Sequence, residues 1–130
     1  MPKYVVEKTV TFEAAHQLDK LPAEHKCSRL HGHTYRVDVR LVCGSLDQNG
    51  MVIDFDVVKA FIMQYDHQNL NDFVKPSTAE CLARDIWDGL DHSVFAQLNR
   101  GVIKIEDQVR LLCVTVYETP QNKVEFFGGA

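Results

Sequence analysis

Two long runs of period-two alternation, over residues 4–16 and 33–43, constrain this chain more than any other feature. In the first, Tyr4, Val6, Val10, Phe12 and Ala14 share one parity, broken by Lys8, while Glu7, Thr9, Thr11 and Glu13 hold the other. In the second, Tyr35, Val37, Val39, Leu41 and Cys43 oppose Thr34, Arg36, Asp38 and Arg40. Successive side chains of a strand point to opposite faces, so each run reads as a strand with one buried face. The buried parity carries His16 at the end of the first run and His31 and His33 at the start of the second. All three point inward unless a bulge changes the register.

The middle of the chain changes period. Asp54 reads as an N-cap, and Val57, Val58, Phe61, Ile62 and Tyr65 recur at helical spacing until Asp66-His67. Ser77 with Glu80 fits a capping box for a second helix, whose stripe of Leu82, Ile86, Leu90, Val94, Phe95 and Leu98 runs to about residue 98. The tail returns to β: Val102–Ile105, Val109–Tyr117, a turn at Thr119-Pro120-Gln121-Asn122, and Val124–Phe127. With 130 residues and no linker, the order ββααββ predicts one α+β domain over residues 1–130. Its strands can all pair antiparallel. So thin a sheet leaves edges open, which favours a homo-oligomer that joins them.

Composition narrows the function classes. A net charge of -4 gives no reason to expect nucleic acid or an anionic membrane as partner. No apolar run approaches the roughly 20 residues of a membrane helix. Met1-Pro2-Lys3-Tyr4 offers no apolar leader, so a cytoplasmic setting is expected. The four cysteines are scattered without Cys-x-x-Cys spacing, and Cys43, Cys81 and Cys113 lie in apolar runs as small core residues.

Three neutral imidazoles suit a catalytic zinc, because they leave one coordination position for water or substrate. His31 and His33 at i and i+2 on a strand point the same way, and Gly32 between them removes a side chain. Packed core histidines are the alternative. Cys27 lies in the polar, basic run His25-Lys26-Cys27-Ser28-Arg29, where a cation and nearby bases favour thiolate. It is a candidate base, a fourth ligand closing a structural site, or an inert thiol. Asp66 beside His67 can fix that imidazole's tautomer, or both simply end a helix. Glu118 continues the apolar parity of Val114 and Val116, so it faces inward to a partner or lies past the strand end in solvent. Thr78 opens the second helix and offers a hydroxyl or N–H to a ligand, or is an ordinary first-turn residue.

Taken together, Phe12-Glu13-Ala14-Ala15-His16, Cys27-Ser28-Arg29-Leu30-His31-Gly32-His33, Ile53-Asp54-Phe55, Asp66-His67-Gln68-Asn69-Leu70-Asn71 and Val116-Tyr117-Glu118-Thr119 resemble the 6-pyruvoyl-tetrahydropterin synthase superfamily. The resemblance implies the tunnelling fold, with ββααββ subunits forming trimeric barrels that stack into a hexamer with sites between subunits. It implies zinc on His16, His31 and His33, Cys27 as the proton-abstracting base, and Asp66 and His67 as partners in proton transfer. It implies Glu118 as the anchor of a pterin's aminopyrimidine edge, and Thr78 matches a threonine near that pocket. The three residues between Cys27 and His31, with Ile53-Asp54-Phe55, look like the 6-carboxy-tetrahydropterin synthase branch of queuosine biosynthesis. Ser28 departs from a glycine common in that branch, and the Val116–Thr119 tail looks more like the 6-pyruvoyl branch. The implied substrate is dihydroneopterin triphosphate, whose anionic tail Lys26 and Arg29 are placed to hold. A non-catalytic pterin- or zinc-binding protein with the same pocket is the alternative from another class.

Overall fold

The computed structural model describes residues 3–128. Strands β1 (Tyr4–His16) and β2 (His31–Cys43) pair antiparallel along their whole length, with Tyr4 opposite Cys43 and His16 opposite His31. Strands β3 (Arg110–Thr119) and β4 (Asn122–Phe126) complete an antiparallel sheet of order β1-β2-β3-β4. Helices α1 (Phe55–Ile62) and α2 (Ala79–Gly89) pack on the apolar face. Val10, Phe12, Tyr35, Val37, Val39, Val114 and Val116 meet Val58, Ile62, Leu82 and Ile86 there, as the period-two and period-3.6 patterns require. Gly89 lets the helices approach closely, since a Cβ at that position would overlap the Phe61 ring.

Three sequence expectations need correction. Val102–Ile105 is not a strand: Ile103 is 95% exposed and a 3-10 turn occupies Ile105–Asp107. Strand propensity there finds no ladder, because β2 ends at Cys43 and Gly44 donates instead to the Glu106 carbonyl. The cap of α2 is Thr78, whose hydroxyl accepts from the Cys81 N–H, and not Ser77. That one-residue difference leaves Glu80 exposed in the first turn and turns Ser77 inward at 1% exposure. The helical path does continue to Leu98, but through a π turn over Leu90–Phe95. The wider turn rephases the stripe, burying Phe95 and leaving Leu98 exposed.

Cys43 and Cys113 are buried, Cys81 is half-buried, and all four cysteines are free thiols. Among the described residues no helix is long and apolar enough to cross a membrane. The β1 edge is partly covered by the chain itself. His67 donates to the Glu13 carbonyl, Ala15 donates to the Gln68 carbonyl, and Ala15 bridges Asn69 in parallel. That short pseudo-strand occupies the histidine end of the edge and carries Asp66 and His67 with it.

Candidate metal centre

Strand register places the three histidines on one face. His16 stands directly opposite His31, and Ala14 opposite His33, so the three rings project from neighbouring points of the β1–β2 ladder. Ring centroids lie 4.6, 4.9 and 5.1 Å apart. One ligand nitrogen from each falls within 4.8 Å of the others. Gly32 is not demanded by packing, since a Cβ there would meet only the Ala14 carbonyl oxygen at 3.6 Å. It lines a cleft of about 570 Å³ together with Ala14, His33, Thr34, His67 and Asn69.

Hydrogen bonds decide which nitrogens point inward. His16 Nδ1 lies 2.7 Å from the Ser77 carbonyl oxygen, and His31 Nδ1 lies 2.7 Å from the Arg29 carbonyl oxygen. A carbonyl only accepts, so both rings carry their proton on Nδ1. Their Nε2 lone pairs then face each other at 3.0 Å, an opposition that a bound cation would relieve. Among the described residues, His33 Nε2 is buried with no hydrogen-bond partner. Burial is the largest influence on His33 and holds its pKa below the ordinary value, so the ring stays neutral and able to ligate. Two imidazoles with tautomers fixed from behind, and a third kept neutral by burial, therefore form a donor set that fits a divalent metal.

Glu118 adds negative charge. The β3–β4 register shifts between Tyr117 and Thr119, and this bulge carries Glu118. Its carboxylate oxygens lie 3.7 Å from His33 Nε2 and 4.0 Å from His16 Nε2, with the side chain 27% exposed. The inward parity thus holds, and the solvated alternative does not. Glu118 also borders a hollow of about 250 Å³ with Ala79 and Lys123. Thr78 immediately precedes Ala79 as the cap of α2, with its hydroxyl oxygen engaged in capping.

Cys27 is half-buried in a 3-10 turn over Lys26–Ser28. Its N–H donates to His25 Nδ1, and its carbonyl accepts from Leu18. Its sulfur does not join the histidine cluster. Lys26 and Arg29 are exposed on the same loop. Asp66 accepts from the Glu13 N–H through one oxygen and from His67 Nδ1 at 2.8 Å through the other. The Glu13 N–H and then His67 hold the Asp66 carboxyl below its ordinary value. His67 adopts φ 59°, which turns its ring out to 76% exposure with Nε2 free.

Two residues escaped the sequence reading. Ser77 and Asn71 stand behind His16, and only the loop's return onto β1 brings them there. A cap signal at Ser77 concealed its inward role.

The family model for 6-pyruvoyl tetrahydropterin synthase matches residues 5–129. The chain is 32% identical to the 6-carboxy-5,6,7,8-tetrahydropterin synthase of Bacillus subtilis over 128 residues, covering 92% of this chain and 82% of that protein. It is 37% identical to the Synechocystis protein of the same name over 101 residues, covering 69% and 77%. The structure of Caenorhabditis elegans 6-pyruvoyl tetrahydropterin synthase superposes with a TM-score of 0.68 at 28% identity, covering 99% of this chain and 98% of that one. With the histidine cluster, the strand order and a match along nearly all of its length, the chain belongs to the 6-pyruvoyl tetrahydropterin synthase family.

Proposed function

We propose that this chain is a zinc-dependent carbon–carbon lyase, a 6-carboxy-5,6,7,8-tetrahydropterin synthase acting on 7,8-dihydroneopterin triphosphate. One water is consumed, acetaldehyde and triphosphate leave, and the product enters queuosine biosynthesis. The observation that carries the reading is the convergence of three imidazole nitrogens on one point, two of them with their tautomers fixed from behind. The relatives from Bacillus subtilis and Synechocystis support the 6-carboxy branch over the 6-pyruvoyl branch.

In this reading His16, His31 and His33 would hold the metal through three nitrogens. Zinc bound there supplies Lewis-acid polarisation of the substrate's side-chain hydroxyls. Glu118 accepts two N–H donors from the aminopyrimidine edge, a charge-assisted pair that orients the ring. Thr78 contributes at the same edge. The Cys27 thiolate removes the side-chain proton. Asp66 keeps the proton of His67 on Nδ1, so Nε2 presents a lone pair for the relay. His67 is exposed in the single chain, which fits a site completed by a neighbouring subunit. We place residues 1–130 in one domain, six copies in a dimer of trimers, and the enzyme in the cytoplasm.

Product analysis with dihydroneopterin triphosphate tests the assignment. Stoichiometric acetaldehyde release is expected. Triphosphate release without acetaldehyde would move the chain to the 6-pyruvoyl reaction. No turnover with full zinc loading would leave a binding protein.

A further inference from the structure

We propose that Asn71 and Ser77 are positioning residues for the metal: they clamp His16 in its Nδ1–H tautomer and aim Nε2 at the other two rings. The inference rests on the metal-site reading above and adds residues to it.

His16 and His31 are held by different means. The acceptor for His31 Nδ1 is the Arg29 carbonyl, two residues away along the same chain segment, so local geometry places it. The acceptor for His16 Nδ1 is the Ser77 carbonyl, 61 residues away. Nothing local places that oxygen, and His16 is wholly buried. A flipped ring would put Cδ2 in the place of Nδ1 and leave the Ser77 carbonyl without its donor.

The side chains of Asn71 and Ser77 close the gap. Asn71 Oδ1 accepts from the Gln17 N–H at 2.9 Å, and Asn71 Nδ2 donates to the Gln17 carbonyl at 2.9 Å. This pair of bonds mimics a strand ladder and grips the residue next to the ligand. Ser77 Oγ donates to the same Asn71 Oδ1 at 3.1 Å and lies 3.4 Å from the Gln17 carbonyl oxygen. The circuit runs from the backbone after His16, through Asn71 and Ser77, to the carbonyl that takes the His16 ring proton. Ser77 is 1% exposed, so its hydroxyl has no solvent alternative. Outer partners of this kind change metal affinity by about 10- to 100-fold when lost.

The experiment uses the full chain and Zn²⁺ alone, titrated in competition with a chromogenic chelator, for wild type, Ser77→Ala and Asn71→Leu. In parallel, nitrogen-15 imidazole spectra of the metal-free proteins report which ring nitrogen of His16 carries the proton. The expected result is a Zn²⁺ affinity about 10- to 100-fold weaker in both variants, together with a mixture of His16 tautomers replacing the single Nδ1–H form. A merely structural role would not move the tautomer. Ser77→Ala removes one hydroxyl and carries the test if Asn71→Leu does not fold. Affinity within twofold of wild type overturns the clamp, and so does weakened affinity with His16 still fixed as Nδ1–H. If wild type itself takes up no Zn²⁺, the metal reading fails separately, and the tautomer comparison still judges the clamp.

Discussion

Substituting His31 separates the metal's contribution from that of the fold. In the metal-free protein the Nε2 lone pairs of His16 and His31 oppose each other at 3.0 Å. Removing the half-buried His31 ring loses one hydrogen bond to the Arg29 carbonyl, about 1 kcal/mol. It also removes that opposition, so the metal-free stability of His31→Ala changes by about 1 kcal/mol or less. Metal binding acts differently. Zinc at a free concentration 100 times its Kd stabilises the native state by about 2.7 kcal/mol. At roughly 2.1 cal/mol/K per residue, a chain of 130 residues has an unfolding entropy near 0.27 kcal/mol/K. Wild type should therefore melt about 10 °C higher with that zinc than without it. His31→Ala, lacking one of three ligands, should gain a few degrees at most at the same concentration. Calorimetry in zinc-buffered and chelated samples measures both differences. An equal gain in the two proteins, or none in wild type, would refute the assignment of the histidines as ligands.

Three further outcomes follow from the geometry. Cys27→Ala should lower turnover by about 10²- to 10⁴-fold while zinc stoichiometry stays unchanged, because the sulfur lies outside the histidine cluster; loss of zinc would instead make Cys27 a ligand. Tyr35→Phe removes a buried hydroxyl that lacks a partner among the described residues and should raise stability by about 1–3 kcal/mol; a lowered urea midpoint would show that the hydroxyl is engaged. The Asp66 carboxyl sits below its ordinary value of 3.8, held there first by the Glu13 N–H and then by His67. Its folded pKa is depressed, so its contribution is present above pH 3.8 and lost as pH falls through the lower folded value. Carboxyl titration by NMR should place its midpoint below 3.8, and a midpoint at or above that value would contradict the two hydrogen bonds.

Much of this protein was determined by sequence alone. Alternation in β1 and β2 put His16, His31 and His33 on the buried parity, because a strand's side-chain period leaves no other choice once one face is apolar. Helical spacing located α1 and α2 for the same reason, and family motifs pointed to Cys27, Asp66, His67 and Glu118. What sequence left open depends on contacts between distant segments. The end of β2 withheld a ladder from Val102–Ile105. A π turn rephased the second helix. The bulge after Tyr117 aimed Glu118 at the histidines. Above all, the return of residues 67–77 onto β1 brought Asn71 and Ser77 behind His16. Periodicity is a local property and can be read along the chain. A ring's tautomer depends on which carbonyl stands behind it, and for His16 only the closed tertiary structure supplies that carbonyl.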